Sequence, residues 1–497
     1  MTQTNTNDLF SVRRAGVLLH PTCLPGSLGV LGAGARRFVD FLAASNITVW
    51  QTLPIGPTHS DLSPYQSLSA HAGNPNFIDL AELLQVGLLV DSEIAQPIGE
   101  SRQQLLGIAA QRFFDGKAQG RNGLDQPGFE HFRARNDYWL DDFCLFCAIR
   151  EVQESPGWLQ WPEPLRNRDP TALKSFIDQN QARLARIQFE QYLFNHQWQA
   201  LRDYARERGI LLFGDIPIFV AHDSADVWAN RHLFKLDARG EPTVVAGVPP
   251  DYFSADGQHW GNPLYDWQIM AEDGYRWWLE RLESQRQLFD LIRIDHFRGL
   301  QAYWEIPAES PAPRNGYWVP GPADHFLQAC FNRFPDLPLV AENLGIISDD
   351  VEELRQRFRL PGMTVMQFGF DGSPSNPHLL HNHHHRDLVY TGTHDNDTTL
   401  GWYQSLDEHT RRNVNDYLGT TGDGMPWPVI EAALRSVCSI AVVPMQDFLG
   451  LGTEARFNTP GTITNNWVWQ LDWNFPEEDL SIRIAEAVKR HGRLPAG

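Results

Sequence analysis

Eight short runs of apolar or β-branched residues punctuate the chain: AGVLLH (15–20), ITVWQTLP (47–54), ILLFGDIPIF (210–219), FDLIRID (289–295), LPLVAEN (337–343), MTVMQF (363–368), LVYTGTHD (388–395) and SIAVVPMQ (439–446). Each reads as a strand buried on both faces, the pattern of a parallel sheet covered by helices. Helical periodicity lies between several of them: in GARRFVDFLAAS after the first, in RWWLERLESQRQ before the fourth, and in VEELRQRF behind an Asp349/Glu352 capping pair. Strands alternating with helical crossovers predict an α/β fold, a (β/α)8 TIM barrel, for which about 250 residues suffice. The rest of the 497 residues must be insertions. Residues 11–76 supply the first barrel strands, 77–190 an inserted helical subdomain, and 191–497 the rest of the barrel, with insertions at about 221–270 and 396–436. The segment 77–190 carries helical periodicity in RQQLLGIAAQRFFD and DYWLDDFCLFCAIREV, among other stretches. The segment 221–270 is rich in Pro, Gly, Asp and aromatics with little periodicity, which predicts a long loop over the barrel mouth.

Composition narrows the function. Hydrophobic residues at 42% and charged residues at 21% describe a packed globular chain rather than a disordered one. With 61 acidic against 41 basic side chains the net charge is −20, which repels polyanions, so nucleic acid and anionic membrane are poor partners. No run approaches the roughly 18 apolar residues that span a bilayer, and the N-terminal stretch has no apolar h-region. A cytoplasmic location is expected. Five cysteines thinly spread over the chain fit a reducing compartment. Cys144 and Cys147 form a C-x-x-C, but inside an apolar-periodic stretch and without a second pair to complete a zinc site, so helix packing is the better reading. HNHHH at 381–385 lacks metal-ligand spacing and reads as a solvated loop. GSLGVLGAG (26–34) lacks the order of a phosphate-binding loop.

Polar groups at strand ends carry the chemistry, because a (β/α)8 barrel places its active site at the C-terminal ends of its strands. Asp215 lies in the third run, Asp295 ends the fourth, Glu342 sits near the end of the fifth, and His394 with Asp395 ends the seventh. Buried carboxylates need partners. Arg293, two residues before Asp295 and on the same face of the strand, would keep one of them ionised at neutral pH. One ionised carboxylate beside another that retains its proton is the arrangement for cleaving a glycosidic bond. The alternative is an ion-pair network that only holds the barrel together.

LIRIDHFRG (291–299), AENLG (341–345), YTGTHDNDT (390–398) and FGDIPIF (213–219) resemble, in order, the conserved regions of the α-amylase clan. RRAGVLLHPTCLPG (13–26), SPYQSLSAHAGNPNFIDL (63–80), HWGNPLYDW (259–267), QDFLGLG (446–452) and FNTPGT (457–462) are similar to one member, glycoside hydrolase family 77, the 4-α-glucanotransferases. The resemblance runs from about residue 13 to 475. It implies a retaining double displacement on α-1,4-glucans and maltooligosaccharides, with glucose among the acceptors and neither metal nor organic cofactor. By the same resemblance Asp295 matches the nucleophile, Glu342 the general acid/base and Asp395 the third carboxylate. Arg293 would orient Asp295, His296 lies beside the nucleophile, and Asp215 and His394 match residues that hold hydroxyls of the sugar next to the cleaved bond. Tyr65 matches the aromatic platform under that sugar, and Gln258, Trp260 and Asp371 fall on the acceptor side. Three positions depart from the family pattern: Asn343 stands where Asp is usual, Cys23 where Ser is common, and Gln470 where Arg is expected. A hydrolase with the same carboxylates is the nearest rival; a non-catalytic glucan-binding protein would be expected to have lost one of the three carboxylates.

Overall fold

The computed structural model describes residues 9–26, 28–94, 102–117, 123–154, 157–250 and 256–494. Eight strands make the barrel: β1 (Arg14–Leu18), β2 (Val49–Gln51), β3 (Leu211–Pro217), β4 (Leu291–Asp295), β5 (Leu339–Ala341), β6 (Met363–Val365), β7 (Leu388–Tyr390) and β8 (Ile440–Pro444). Each lies within, or one residue beyond, one of the eight apolar runs. Their order in the sheet is 6-7-8-1-2-3-4-5, with parallel pairing throughout. Between β5 and β6 the Ala341 N–H donates to Pro361 O at 2.8 Å. Asn343 reinforces that seam: its Oδ1 accepts the Met363 N–H at 2.7 Å and its Nδ2 donates to Glu352 at 2.8 Å. An aspartate there would have no donor for Glu352 and would add a like charge beside it, so the amide suits this seam.

The strands are short and buried on both faces, so their sequences carry no alternation. Gly214 in β3 shows how tight the packing is: a Cβ at that position would lie 2.2 Å from the Phe289 ring. On the outside, helix Ala33–Ala44 lays Phe38, Phe41 and Leu42 against the barrel, with Phe38 edge-on to Trp50 at 5.0 Å. Trp50 is fully buried and its indole N–H donates to Leu19 O at 2.8 Å, so the large side chain is enclosed without an unsatisfied donor.

The insertions differ in part from the sequence reading. Helices fill the span between β2 and β3, but the last of them, Gln181–Arg206, runs straight through residue 190. Its buried positions, Phe189, Leu193, Phe194, Trp198, Leu201 and Ala205, stay in helical register, so one helix serves both the inserted helices and the crossover into β3. The segment 221–270 is not a plain loop. Val244–Val248 and Gln258–Pro263 pair in an antiparallel sheet completed by Ala302–Pro307 and Tyr317–Pro320. Its partners are some 60 residues apart, as in Val245 opposite Ile306, and its strands contain Gly and Pro, so local pattern could not reveal it. The third insertion is helical, with Thr399–Ser405, Glu408–Leu418 and Trp427–Arg435.

Among the described residues no helix is long and apolar enough to cross a membrane, and no three His, Cys, Asp or Glu side chains converge as a metal-binding group. Cys144 and Cys147 sit in helix Asp137–Gln153 as free thiols, and burial pushes both thiols up. His383, within HNHHH, is buried rather than solvated: Nδ1 meets Ser436 Oγ at 2.8 Å and Nε2 meets His378 O at 3.1 Å.

Candidate active site

The parallel register of β3 and β4 sets Asp215 beside Arg293 and Pro217 beside Asp295. Arg293 donates from Nε to Asp215 Oδ1 at 2.8 Å and from Nη2 to Asp215 Oδ2 at 2.6 Å, a two-pronged fork. The same Nη2 reaches Tyr65 Oη and Asp295 Oδ1, each at 3.0 Å. Tyr65, on the long connection after β2, donates its hydroxyl to Asp215 Oδ2 at 2.6 Å. The side chains of Arg293 and Asp215 are 3% and 0% exposed, whereas that of Asp295 is 31% exposed. Asp215 therefore lies beneath the cleft floor with both oxygens occupied. It is not placed to hold a sugar hydroxyl directly, as the sequence resemblance implied, and its reach into the cleft is through Arg293.

Glu342, one residue past β5, is held by two backbone donors: Leu344 N–H to Oε1 at 2.8 Å and His296 N–H to Oε2 at 2.7 Å. His296 has φ 55°, the left-handed region that a non-glycine residue seldom adopts, and in that conformation its N–H bonds Glu342 across the β4–β5 seam. Its imidazole is pushed down to about 3 by burial, so the ring is neutral, and its Nε2 has no hydrogen-bond partner. Trp260 stands edge-on to that ring at 4.8 Å, with its indole N–H donated to Gln258 Oε1 at 3.0 Å.

Asp395, on the loop after β7, accepts from Asn458 Nδ2 at 2.6 Å, while Arg456 Nη2 donates to its backbone carbonyl at 2.7 Å. His394 stacks on Tyr65 with centroids 5.2 Å apart and 16° between planes. Burial lowers its pKa, against the pull of Asp395, whose Oδ2 lies 3.4 Å from Nε2. The loop is anchored from below by Asp447, which is fully buried. It accepts the Thr391 hydroxyl at 2.6 Å, the Thr399 hydroxyl at 2.6 Å and the Thr399 N–H at 2.7 Å. Asn458, Arg456 and Asp447 were not singled out from sequence. The signal was present in QDFLGLG and FNTPGT, but their partners lie 48 to 63 residues away.

These groups line one open cleft of about 940 Å³. Tyr65, Gln258, Trp260, Arg293, Asp295, His296, Glu342, His394 and Asp395 all face it. Asp371 does not: it is exposed in the segment after β6 and accepts the Ser373 N–H at 2.9 Å, capping its own turn. Burial raises the pKa of both Asp295 and Glu342. The two are linked as like charges, so the pair holds on to a proton. Of the two, the guanidinium hydrogen-bonds Asp295, which is also the more open to cleft water; the hydrogen-bond donors on Glu342 are neutral N–H groups, and it is 9% exposed. The direct guanidinium contact favours charge on Asp295, and the neutral donors around Glu342 favour the shared proton there.

A barrel rim that presents two coupled carboxyls with raised pKa values, with a third carboxylate on the neighbouring loop, is the arrangement of an enzyme that works on glycosidic bonds. The chain belongs to the 4-alpha-glucanotransferase family, glycoside hydrolase family 77, whose model matches residues 19–474. It is 45% identical to the 4-alpha-glucanotransferase of Thermus thermophilus over 96% of this chain and 99% of that one. It is 41% identical to the chloroplastic/amyloplastic 4-alpha-glucanotransferase of Arabidopsis thaliana, over 98% of this chain and 87% of the relative. Among solved structures it superposes on the amylomaltase from Streptococcus agalactiae in complex with acarbose with a TM-score of 0.91 at 32% identity, covering 97% of this chain and 100% of the other. This is an enzyme of the transferase type acting on α-glucans.

Proposed function

We propose that the enzyme moves α-1,4-glucan segments by a retaining double displacement built on Asp295 and Glu342. Asp295 attacks the anomeric carbon of the donor while Glu342 gives its proton to the departing 4-oxygen, leaving the segment esterified to Asp295. The Glu342 carboxylate then takes the proton from the 4-hydroxyl of an acceptor, which attacks the same carbon and restores the α configuration. His394 and Asp395 hold hydroxyls of the sugar being transferred, and Tyr65 with His394 supplies the platform beneath it. One observation carries the assignment of roles: Arg293 contacts Asp295 and not Glu342, which separates the base-like from the acid-like carboxyl.

The substrates of this reading are α-1,4-glucans and maltooligosaccharides as donors, with glucose or a maltooligosaccharide as acceptor; the acarbose bound to the Streptococcus amylomaltase supports that class. The second nucleophile faces competition from water, and good positioning of an acceptor hydroxyl is worth effective molarities of about 10⁵ M or more. Trp260 and Gln258, on the strand that forms the cleft wall, are the groups that supply it. Tyr252 and Phe253, aromatic candidates for the same task, lie outside the described residues. Five free cysteines, most of them buried, support a cytoplasmic location.

Incubation with maltotriose tests the proposal. The expected result is free glucose with a ladder of longer oligosaccharides and almost no gain in total reducing ends; a steady rise in reducing ends would make the enzyme a hydrolase. Glu342→Gln should abolish turnover of maltotriose yet largely spare the first step on α-glucosyl fluoride, whose leaving group needs no proton. Equal losses on both donors would remove Glu342 from the acid role.

A further inference from the structure

The described residues include all 17 tryptophans, and 16 of them are buried or half-buried. The exception is Trp318, 38% exposed on the edge strand Tyr317–Pro320, and it lines the catalytic cleft. An aromatic surface left open to a cleft is available to the apolar face of a ligand. The indole is already held in place. The Arg298 guanidinium lies 3.9 Å from the centroid of its ring, and Trp304 meets it edge-on at 5.1 Å and 70°. Trp304 is fixed in turn, its indole N–H donated to Pro313 O at 2.8 Å. A ring held from two directions has little rotamer freedom left to lose when a ligand stacks on it.

Its neighbours say which part of a glucan it meets. Arg298 also donates to Ile346 O, so Trp318, Arg298 and the 344–346 segment that follows Glu342 form one stretch of cleft wall. Glu342 stands where the departing oxygen takes its proton, which puts this wall on the side of the leaving and accepting chains. Tyr65, His394 and Asp395 stand instead around the sugar being transferred. The small sheet sets the spacing. Gln258–Pro263, which carries Trp260, and Tyr317–Pro320 are its two edge strands, separated by three inter-strand steps. At about 4.8 Å a step the two strands lie about 14 Å apart, wider than one sugar ring. An acceptor ring against Trp260 therefore leaves Trp318 to a ring further along the same chain.

We infer that Trp318 is a specificity-determining residue of the acceptor side, an aromatic platform for a glucose ring beyond the one that receives the transferred segment. The inference rests on the transfer reading, which fixes the direction in which the chain runs. Acceptor preference tests it. With isotopically labelled α-glucosyl fluoride as donor, kcat/KM for label incorporation is measured with glucose and with maltotriose as acceptors, the products being separated by chromatography. Trp318→Ala should lower the maltotriose value at least about tenfold more than the glucose value, and Trp318→Tyr, which keeps an aromatic ring, should restore most of the difference. Trp318→Leu keeps an apolar side chain against Arg298 without a platform, and it replaces the alanine variant if that one unfolds on a thermal scan. Equal losses on both acceptors would mean that Trp318 only props Arg298 and the segment after Glu342, and would overturn the inference; so would no loss on either. Label released as free glucose whatever the acceptor would refute the transfer reading itself. Calorimetric titration of full-length Asp295→Asn protein with maltoheptaose then decides the platform separately: weaker binding once Trp318→Ala is added upholds it, and unchanged binding overturns it.

Discussion

Replacing Arg293 by Lys keeps a positive charge under the cleft and removes the fork, which separates what the charge does from what the geometry does. Arg293 makes three hydrogen bonds to carboxylate oxygens, at 2.8, 2.6 and 3.0 Å. A lysine ammonium is a point donor on a flexible stem and cannot reproduce the two-pronged contact. If two of the three are lost, at about 1.5–3 kcal/mol for each bond to a charged group, roughly 3–6 kcal/mol must disappear between folding stability and the transition state. About half of that on the reaction is on the order of a hundredfold in kcat. Initial rates of glucose release from maltotriose and urea unfolding of the same preparation divide the two shares. Arg293→Met completes the comparison. The guanidinium lowers the Asp295 pKa against a larger upward push from burial. Removing the charge raises the Asp295 pKa, so the acid limb of kcat/KM moves to higher pH in Arg293→Met and stays nearly in place in Arg293→Lys. A lysine variant within about threefold of wild type in kcat with unchanged stability would refute the role of the fork. An unmoved acid limb in the methionine variant would refute the electrostatic role.

Asn458→Ala removes the 2.6 Å donor to Asp395 and should lower kcat by about tenfold or more, with Tm little changed because the carboxylate that loses its donor is half exposed to cleft water. Asp447→Asn should cost roughly 1–3 kcal/mol of stability, read from urea unfolding, since an amide cannot accept all three of its buried donors, and should lower kcat further by loosening the loop that bears His394 and Asp395. Glu190 is buried, and burial outweighs Arg186 to push its pKa from 4.5 up to about 7. A carboxyl raised in the folded state contributes stability that is full below pH 4.5 and is lost as pH rises to about 7, so the stability of wild type relative to Glu190→Gln should fall across that window.

How much was legible from the chain depended on how local each cause was. All eight strands could be read from one-dimensional pattern, because burial on both faces demands an apolar run wherever it occurs. Asp295, Glu342 and Asp395 could be placed on the functional rim for the same reason: a polar residue at the end of such a run has no other role in a barrel as economical as this one. The subdomain bound at residue 190 falls inside helix Gln181–Arg206, because an insertion and a crossover look alike when both are periodic. The antiparallel sheet through Trp260 was missed because its partners, Ala302–Pro307 and Tyr317–Pro320, lie after the next barrel strand.

The sequence by itself determined which residue types stand at the strand ends, and therefore the class of chemistry. It also set the repeating strand–helix pattern that closes into a barrel. Tertiary structure alone decided how those groups share their charge. Asp215 became a buried counterion rather than a sugar contact because the register of β3 against β4 aligned it with Arg293. Asp371 was left outside the cleft by a turn that it caps itself. Asn458 and Asp447, whose motifs name no partner, became the supports of Asp395 and its loop. The physical reason is that hydrogen bonds and ion pairs act over about 3 Å in space, whatever the number of residues between the partners, while the patterns readable in a chain extend only over a few turns of helix or a few residues of strand.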